Sequence, residues 1–378
     1  MLTLSRGAAF GLALLASAAH PALAASLSAD EIDGATLEAF ETRQAEREKK
    51  AAEAAPGAAV PGLADTSSPE AVPTDDSPSE ASTPEEAIAA DAAKQEVADP
   101  FLVRLQVLLD RAHASPGVID GFYGDNVVKA VRAYEEMRGL PVDGRPDAEL
   151  WTALSTDGDA AMKTYEISAK DVDGRYVEKL PRDYAELAKL KHLGFRGPRE
   201  MLAERFHMDE DLLRSLNPKA DFDKPGTTIL VADTGADPET KVTRIVVDKS
   251  KGELLAYAED GSLVLVDPAS IGSEDTPSPS GEVTVEAIAP RPTYTYDPKK
   301  NFQQGKNDEA MTIPAGPNGP VGAMWIDLSK PTYGIHGTAE PAQIGKTQSH
   351  GCVRLTNWDA DTLAGLVEKG KTVVVFQE

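Results

Sequence analysis

The stretch Ser349-His350-Gly351-Cys352-Val353-Arg354-Leu355 decides how the whole chain is interpreted. Cys352 is the single cysteine among 378 residues, and it lies sixteen residues after His336 in the stretch Ile335-His336-Gly337-Thr338. Cysteine attacks through its thiolate, and a histidine within hydrogen-bond reach is the usual means of generating that thiolate near neutral pH. The two stretches together predict a cysteine nucleophile with a histidine base.

The surroundings of Cys352 suit acyl chemistry on a peptide. The glycines beside His336 and Cys352 leave room for a backbone to approach closely. Cys352 also lies shortly before a predicted helix, 357–369, whose free N–H groups favour a thiolate or a developing oxyanion. Arg354 carries a permanent positive charge two residues further on and is well suited to hold a carboxylate.

The residues alone leave two other interpretations open. A lone cysteine is commonly a small buried hydrophobe with no chemical role. Two histidines and one cysteine can also serve as zinc ligands. Spacing by itself does not choose among a nucleophile, a core cysteine and a metal ligand.

Residues 241–378 consist of short apolar runs separated by Gly, Pro and Asp-Gly turns. Runs of this length and spacing are typical of strands. The predicted strands are 242–248, 254–258, 262–267, 282–289, 321–328, 333–336 and 372–376. A helix is expected at 357–369, with Thr356 and Asp359 at its start and Gly370 at its end. The pattern predicts a β-rich, mixed α+β catalytic sandwich or a rolled sheet.

The two stretches around His336 and Cys352 resemble the signature of the L,D-transpeptidases with a YkuD-type catalytic domain. Two upstream segments, Thr276-Pro277-Ser278-Pro279 with Gly281, and 316–322, also resemble that family. The resemblance therefore covers nearly the whole of residues 241–378, which are expected to form the catalytic domain.

The resemblance implies a catalytic role for five residues. Cys352 matches the acylated nucleophile and His336 the general base. The backbone carbonyl of Gly337 matches the group that orients the imidazole. His350 and Gly351 match positions that shape the site and the oxyanion pocket.

The resemblance also implies three residues that bind or support the substrate. Arg354 matches a position associated with recognition of a substrate carboxylate, although some relatives carry Asn there. Ser349 and Thr338 belong to the same two stretches, and Ser349 is expected to support the turn before the cysteine. The implied chemistry requires no metal and no organic cofactor.

The activity implied by the resemblance is transfer of a peptidoglycan acyl group. Cys352 would attack the diaminopimelate carbonyl of a tetrapeptide stem, release D-Ala and pass the acyl group to the side-chain amine of a second stem. Inhibition by carbapenem-type β-lactams is also implied. Three alternatives stay open: an L,D-carboxypeptidase of the same fold, a transferase that attaches another amine such as that of an outer-membrane protein, and a non-catalytic wall-binding protein.

A small helical module is predicted at 99–156. Apolar residues recur at helical spacing, as in Leu102, Leu105 and Leu109 and again in Val127, Val131 and Tyr134. A third short helix is expected from about Pro146. The pattern predicts a three-helix bundle, and it resembles the peptidoglycan-binding type 1 module, which implies peptidoglycan glycan and stem peptides as partners.

Residues 162–235 are expected to form a small α/β spacer. Apolar residues predict two short helices near 201–206 and 212–216, and 227–231 predict a strand. The segment is similar to the second half of a LysM glycan-binding repeat, although the usual opening strand is not evident. His192 and His207 belong to no motif and are interpreted as ordinary surface or core-edge histidines.

The start of the chain predicts export. Arg6, the apolar run 8–19 and Ala22-Leu23-Ala24 are typical of a secretory signal peptide, here 1–24. The run is shorter than the ~20 residues that a membrane span requires. We therefore expect a periplasmic protein with no stable membrane span.

A disordered acidic linker rich in Ala, Pro and Ser is expected at 25–98, and residues 30–55 within it are compatible with a frayed helix around Leu37 and Phe40. Residues 26–98 contain 17 Asp+Glu against 5 Lys+Arg, and such a composition buries too little apolar surface to offset the entropy of ordering. The whole chain has 38 Lys+Arg against 62 Asp+Glu, a net charge of −24. This balance argues against a nucleic-acid-binding protein, which needs clustered positive charge.

Overall fold

A computed structural model of the chain describes residues 27–54, 97–273, 276–300 and 302–378. The expected signal peptide, 1–24, and residues 55–96 of the expected linker lie outside the described residues. Within the described ranges, no helix combines the length and the apolar character needed to cross a membrane.

Two helices occupy the start of the described chain, where the sequence was compatible with a frayed helix around Leu37 and Phe40 inside the expected linker. Helix α1 spans Ala29–Asp33 and helix α2 spans Leu37–Ala54. Ser28 caps α1 by accepting a hydrogen bond from the Glu31 N–H group. Phe40 stacks on Phe101 at a ring distance of 4.8 Å, so α2 is held by apolar contact with the next module.

The three predicted helices of the next module are present: α3, Pro100–Arg111; α4, Asp125–Arg138; and α5, Ala148–Leu154. Helix α3 is apolar on two sides. Leu102, Leu105 and Leu109 face the core of this module, whereas Val103 and Val107 belong to the core of the region that follows. Burial on both sides makes α3 a shared structural support.

The middle region contains an opening strand that the sequence did not reveal. Strand β1, Met162–Glu166, pairs antiparallel with β2, Thr228–Ala232. The helices between them are α6, Ala169–Val172; α7, Tyr184–Leu187; α8, Pro198–Arg205; and α9, Glu210–Leu216. The two predicted helices correspond to α8 and α9.

A single curled eight-stranded sheet forms the C-terminal domain, rather than the two separate sheets of a sandwich. Its strands are β3, Arg244–Asp248; β4, Glu253–Tyr257; β5, Leu263–Pro268; β6, Gly281–Pro290; β9, Met324–Leu328; β10, Gly334–His336; β11, Val353–Arg354; and β12, Val373–Gln377. Their spatial order is β11-β10-β9-β6-β12-β3-β4-β5. The long strand β6 pairs with both β12 and β9 and is bulged between Val285 and Ala287, which bends one half of the sheet relative to the other.

A short hairpin and one helix complete this domain. Strands β7, Tyr294–Tyr296, and β8, Met311–Ile313, pair antiparallel outside the main sheet. Helix α10 spans Asn357–Leu366 and is capped by Thr356, whose side chain accepts from the Asp359 N–H group. It ends at Leu366 rather than at Lys369, because Val367 is extended.

The helical module packs directly on the sheet. Residues in β3, β4 and β5 alternate between two cores: Ile245, Leu254 and Leu265 face α10, whereas Val246, Leu255 and Val266 face the helical module. This two-residue alternation is what a strand buried on both faces produces. The backbone of residues 113–115 also hydrogen-bonds with Val266, which covers the free edge of β5.

The middle region packs on the same domain through polar contacts near the start of α10. The His207 ring stacks on Trp358 at 5.1 Å, and its Nδ1 lies 3.0 Å from Asp110. The Asn357 amide donates to the buried Glu204 carboxyl at 2.9 Å. Burial raises the pKa of Glu204 to about 8, so this carboxyl is largely protonated at neutral pH. Contacts from all three regions therefore meet at this end of α10.

Candidate active site

Parallel pairing of β10 with β11 places the residues of the two sequence stretches side by side. In this register, His336 lies opposite Arg354. Side chains two residues apart on a strand point to the same face, so Cys352 and Arg354 share the face of His336. All three residues, together with His350, line one cleft.

His336 is buried, and its ring is fixed from two sides. Its Nδ1 lies 2.7 Å from the carbonyl oxygen of Gly337, and its ring stacks on Trp325 at 5.4 Å. A carbonyl only accepts hydrogen bonds, so Nδ1 carries the proton and Nε2 keeps its lone pair. Burial lowers the pKa of His336 to about 4, with a further lowering by Arg354. At neutral pH the ring is therefore an uncharged base.

Cys352 is a partly buried free thiol at the end of the turn that leads into β11. Its Sγ lies 3.8 Å from the carbonyl oxygen of Thr332. Burial raises the pKa of the thiol, whereas the Gly334 N–H group and the charge of Arg354 lower it. Because the net shift is upward and His336 is a weak base, the resting pair is a neutral thiol with a neutral imidazole.

The turn before Cys352 is held by hydrogen bonds to two buried serines. Ser349 Oγ donates to the carbonyl of Cys352 and accepts from the Gly351 N–H group at 3.0 Å. Ser278 Oγ donates to the carbonyl of Gly351 at 2.8 Å. Gly351 has φ +109°, and a Cβ there would lie 2.9 Å from the Tyr333 ring. The turn therefore requires glycine at 351 and a hydroxyl at 349.

These contacts locate the residues that were expected to bind or support the substrate. Ser349 is 3% exposed and supports the turn, so it has no free hydroxyl for a substrate. Thr338 accepts from the Glu340 N–H group and does not line the cleft. Of the three residues expected to bind substrate, Arg354 is the one that the fold brings to the cleft. The Gly351 N–H group is bonded to Ser349 and is likewise not a free oxyanion donor.

His350 borders the cleft on its exposed side. Its ring stacks on Phe302 at 3.9 Å, and Arg354 Nη2 lies 3.4 Å from its Nδ1. Burial and the charge of Arg354 lower the pKa of His350, so this ring is also neutral near pH 7. His350 thus links the turn of the nucleophile to the loop that carries Phe302.

Several cleft residues carry no signal in the sequence. Trp325 stacks on His336, Thr332 faces the sulfur, and Tyr184, Tyr294 and Phe302 form an aromatic wall. Only Trp325 occupies a predicted strand, where strand alternation could have placed it on this face. The others are on short or irregular segments whose position depends on tertiary packing.

The described part of the chain contains no set of side chains that could serve as zinc ligands. Across that part, no three His, Cys, Asp or Glu side chains lie together in a way that could hold a metal ion. The Nδ1 atom of His336 is bonded to a backbone carbonyl instead. The arrangement is that of a thiol, a buried neutral base and a cation in one cleft.

Two family models match the chain. The L,D-transpeptidase catalytic domain, YkuD, matches residues 242–375, and a peptidoglycan binding domain matches residues 99–154. Among solved structures, the catalytic domain of the Enterococcus faecium L,D-transpeptidase acylated by ertapenem aligns with 37% of this chain and 100% of its own length. That alignment has 23% identity and a TM-score of 0.29.

Curated relatives extend the match through the C-terminal half. The L,D-transpeptidase ErfK/SrfK of Escherichia coli K12 is 31% identical over 186 residues, which are 48% of this chain and 60% of that protein. The chain thus spans about three fifths of the length of that relative. The L,D-transpeptidase YkuD of Bacillus licheniformis is 31% identical over 178 residues, which are 47% of this chain and 92% of that protein. With nearly the whole of that relative covered, and with a thiol and a buried imidazole in one cleft, this chain belongs to the YkuD family of L,D-transpeptidases.

Proposed function

We propose that the protein is a cysteine-dependent L,D-transpeptidase that crosslinks peptidoglycan stems through a thioester on Cys352. The 2.7 Å contact between His336 Nδ1 and the Gly337 carbonyl supports this assignment most directly. It fixes the tautomer in which Nε2 can take a proton, and Nε2 belongs to a ring that lines the same cleft as the thiol.

The first step is acylation of the thiol. His336 Nε2 takes the proton of Cys352 as the sulfur attacks the carbonyl of the diaminopimelate residue in a tetrapeptide stem. The bond from that carbonyl to the nitrogen of D-Ala breaks, and the imidazolium returns the proton to the departing amine. A buried ring with a pKa of about 4 gives up this proton readily, which favours release of the amine over reversal.

The second step transfers the acyl group. The side-chain amine of a second stem attacks the thioester, loses its proton to His336, and releases the thiol of Cys352. The product is an amide between the third residues of two stems. Arg354 borders the cleft as a permanent cation, and it is suited to hold a carboxylate of the anionic stem beside the sulfur.

The rest of the chain serves to locate this chemistry on the wall. We propose that residues 99–154 bind peptidoglycan. We also propose that residues 162–235 are a LysM-like region, since β1 and β2 pair with each other and four helices, among them α8 and α9, lie between them in the chain. Export to the periplasm, directed by residues 1–24, would bring the protein to this substrate.

The test is to incubate purified protein with a disaccharide-tetrapeptide and to separate the products by liquid chromatography with mass detection. The expected products are free D-Ala and a dimeric muropeptide that lacks one D-Ala. Release of D-Ala without dimer indicates a carboxypeptidase instead. Binding to sacculi with no change in any muropeptide indicates a wall-binding protein.

A second measurement tests the nucleophile itself. Intact protein treated with a carbapenem should gain the mass of one inhibitor, and Cys352→Ala should gain none. Tyr257→Phe, which changes a phenol on β4 outside the cleft, is the matched control and should be acylated as the unchanged protein is. Acylation of the Cys352→Ala protein would show that another residue is the nucleophile.

A further inference from the structure

One wall of the catalytic cleft comes from outside the domain that matches the family. Tyr184, the first residue of α7, lines the cleft together with Cys352 and Arg354. The match to the family model of the catalytic domain begins at residue 242. The middle region therefore contributes a side chain to a site whose chemistry lies in the C-terminal domain.

Aromatic contacts connect Tyr184 to the loop that carries the nucleophile. Its ring contacts Tyr294 at 6.0 Å, Tyr296 at 5.3 Å and Phe302 at 6.1 Å, each edge to face. Phe302 in turn stacks on His350 at 3.9 Å. Edge-to-face geometry of this kind is favourable beyond simple burial, so the position of Tyr184 is specified by its neighbours.

The backbone around Tyr184 is tied to the β7–β8 hairpin. Gln304 Oε1 accepts from the Tyr184 N–H group at 3.2 Å, and Gln304 Nε2 donates to the Arg182 carbonyl at 3.0 Å. Asn307 Nδ2 donates to the Asp183 carboxylate at 3.1 Å. Three hydrogen bonds to one short segment hold α7 and the hairpin loop in one arrangement.

A second attachment lies at the other end of the segment. The Leu193 N–H group donates to the Ala315 carbonyl at 2.9 Å, and the Leu193 carbonyl accepts from Asn318 N at 3.1 Å. A Cβ on Gly316 would lie only 2.0 Å from the Leu193 oxygen, so this approach requires glycine. Leu187, Leu193, Tyr296 and Ile313 form a small core between the two attachments. Residues 182–193 are thus attached to the C-terminal domain at both ends, and Tyr184 is the residue of this segment that lines the cleft.

The hydroxyl group of Tyr184 is available to form a hydrogen bond with a ligand. Within the described residues its oxygen makes no hydrogen bond, although its ring is partly buried. Arg354 is near enough to lower the pKa of this phenol, against a larger rise from burial. An unpaired hydroxyl on a side chain that lines the same cleft as a cation is placed to donate to an anionic group that the cation attracts.

We infer that Tyr184 is a substrate-binding residue, which donates a hydrogen bond to a carboxylate of the stem peptide held by Arg354. This inference rests on the proposed function, because it names a binding contact for that same substrate. The contact exists in the bound substrate and in the transition state alike, so it acts on KM rather than on kcat. The catalytic site is then complete only when the middle region is in place.

The experiment compares the full chain with Tyr184→Phe, which keeps the ring and its packing and removes the hydroxyl. D-Ala release from a disaccharide-tetrapeptide should show a KM raised about tenfold and a kcat within about twofold of the unchanged value, as expected for loss of one hydrogen bond to a charged group. Tyr257→Phe, on β4 and outside the cleft, is the matched control and should leave both constants unchanged.

A second substrate tests the chemistry of the contact. Amidation of the side-chain carboxylates of the stem should raise KM for the unchanged protein and abolish most of the further effect of Tyr184→Phe. An equal effect of the substitution on both substrates would overturn the assignment to a carboxylate, and an unchanged KM for Tyr184→Phe would overturn the inference entirely.

Different results would contradict the proposed function and the role of Tyr184. Unchanged protein that releases no D-Ala and gains no carbapenem mass overturns the proposed function, and this inference with it. Active unchanged protein alongside a fully active Tyr184→Phe overturns the inference alone. A drop in kcat at constant KM also overturns it, since that pattern belongs to a residue acting on the chemical step.

Discussion

The pH dependence of acylation should distinguish a buried neutral base from an ordinary histidine. The perturbation is a change of pH from 7.5 to 5.5. His336 is buried, and its pKa is lowered from 6.5 to about 4, chiefly by desolvation of the charged ring. Protonation removes the lone pair at Nε2 that must take the thiol proton, so the acid limb of the rate profile follows the pKa of this ring.

The size of the effect follows from the two pKa values. With a pKa of about 4, about 97% of His336 is neutral at pH 5.5, whereas a histidine at the usual 6.5 would be about 9% neutral. At pH 7.5 the two cases differ by about a tenth. We therefore expect the acylation rate to fall by less than about a fifth between pH 7.5 and pH 5.5, where an ordinary histidine would give a roughly tenfold loss.

The assay is the second-order rate constant for carbapenem acylation, followed by intact mass between pH 4 and pH 8. Acylation isolates the first step, so the protonation state of an acceptor amine does not enter. His350→Gln removes the other histidine of the cleft, and its acid limb should lie where that of the unchanged protein lies. Near-ultraviolet circular dichroism at each pH verifies that the fold persists. An apparent acid pKa of 6 or more, with the fold intact, would refute the reasoning.

Three further predictions concern stability. In the folded protein the pKa of Glu204 is raised to about 8. Between about pH 4.5 and pH 8 this carboxyl is therefore protonated in the folded state and ionised in the unfolded chain, so it lowers the free energy of unfolding increasingly as the pH rises. Glu204→Gln should therefore stabilise the protein by about 2–4 kcal/mol at pH 8 and by less than about 1 kcal/mol at pH 5, whereas the exposed control Glu259→Gln should show no such trend in calorimetry. Ser349→Ala leaves the buried Gly351 N–H group without its partner and should cost about 1–3 kcal/mol in denaturant unfolding, with slower carbapenem acylation; unchanged values for both would show that the turn does not need the hydroxyl. Leu255→Ala should cost about 2–5 kcal/mol and shift the helical module and the sheet together in calorimetry, because the side chain belongs to a core that both share, and two separated transitions would contradict this.

Much of the C-terminal fold could be predicted from the sequence because each strand is marked by a short apolar run between turn residues. Seven strands were expected from apolar runs between turns, and each has a counterpart in the sheet. The thiol and the imidazole were also predictable, since both lie in short stretches with glycine neighbours. The local pattern does not predict the curl of the sheet, because the curl depends on a bulge in β6 and on the pairing of β6 with both β12 and β9.

The remaining misses have physical causes. Strand β1 has the sequence MKTYE, whose alternation is too polar to predict a strand without its partner β2. Strands β7 and β8 are three residues each, and only their packing against residues 182–193 gives them a core. The sequence was compatible with a frayed helix around Leu37 and Phe40, but composition does not reveal the contact of Phe40 with Phe101 that holds α2 in place.

Tyr184 is the clearest example of a cleft residue that sequence patterns do not reveal. No spacing relates it to Cys352, because the two residues are brought together by the docking of one region on another. The family model of the catalytic domain matches residues 242–375, so it does not include Tyr184 either. Residues of this kind are found only by listing what borders the cleft, whatever part of the chain it comes from.

The apolar interior common to the helical module and strands β3–β5 gives the enzyme a fixed geometry. A module on a flexible tether would leave the position of the cleft variable, whereas this module shares buried side chains with the sheet. If the module binds peptidoglycan as proposed, packed side chains set the direction and the distance of the thiol from the point of binding. On that proposal, the protein reaches stems at one distance from its point of binding and has to dissociate before it can reach stems further away.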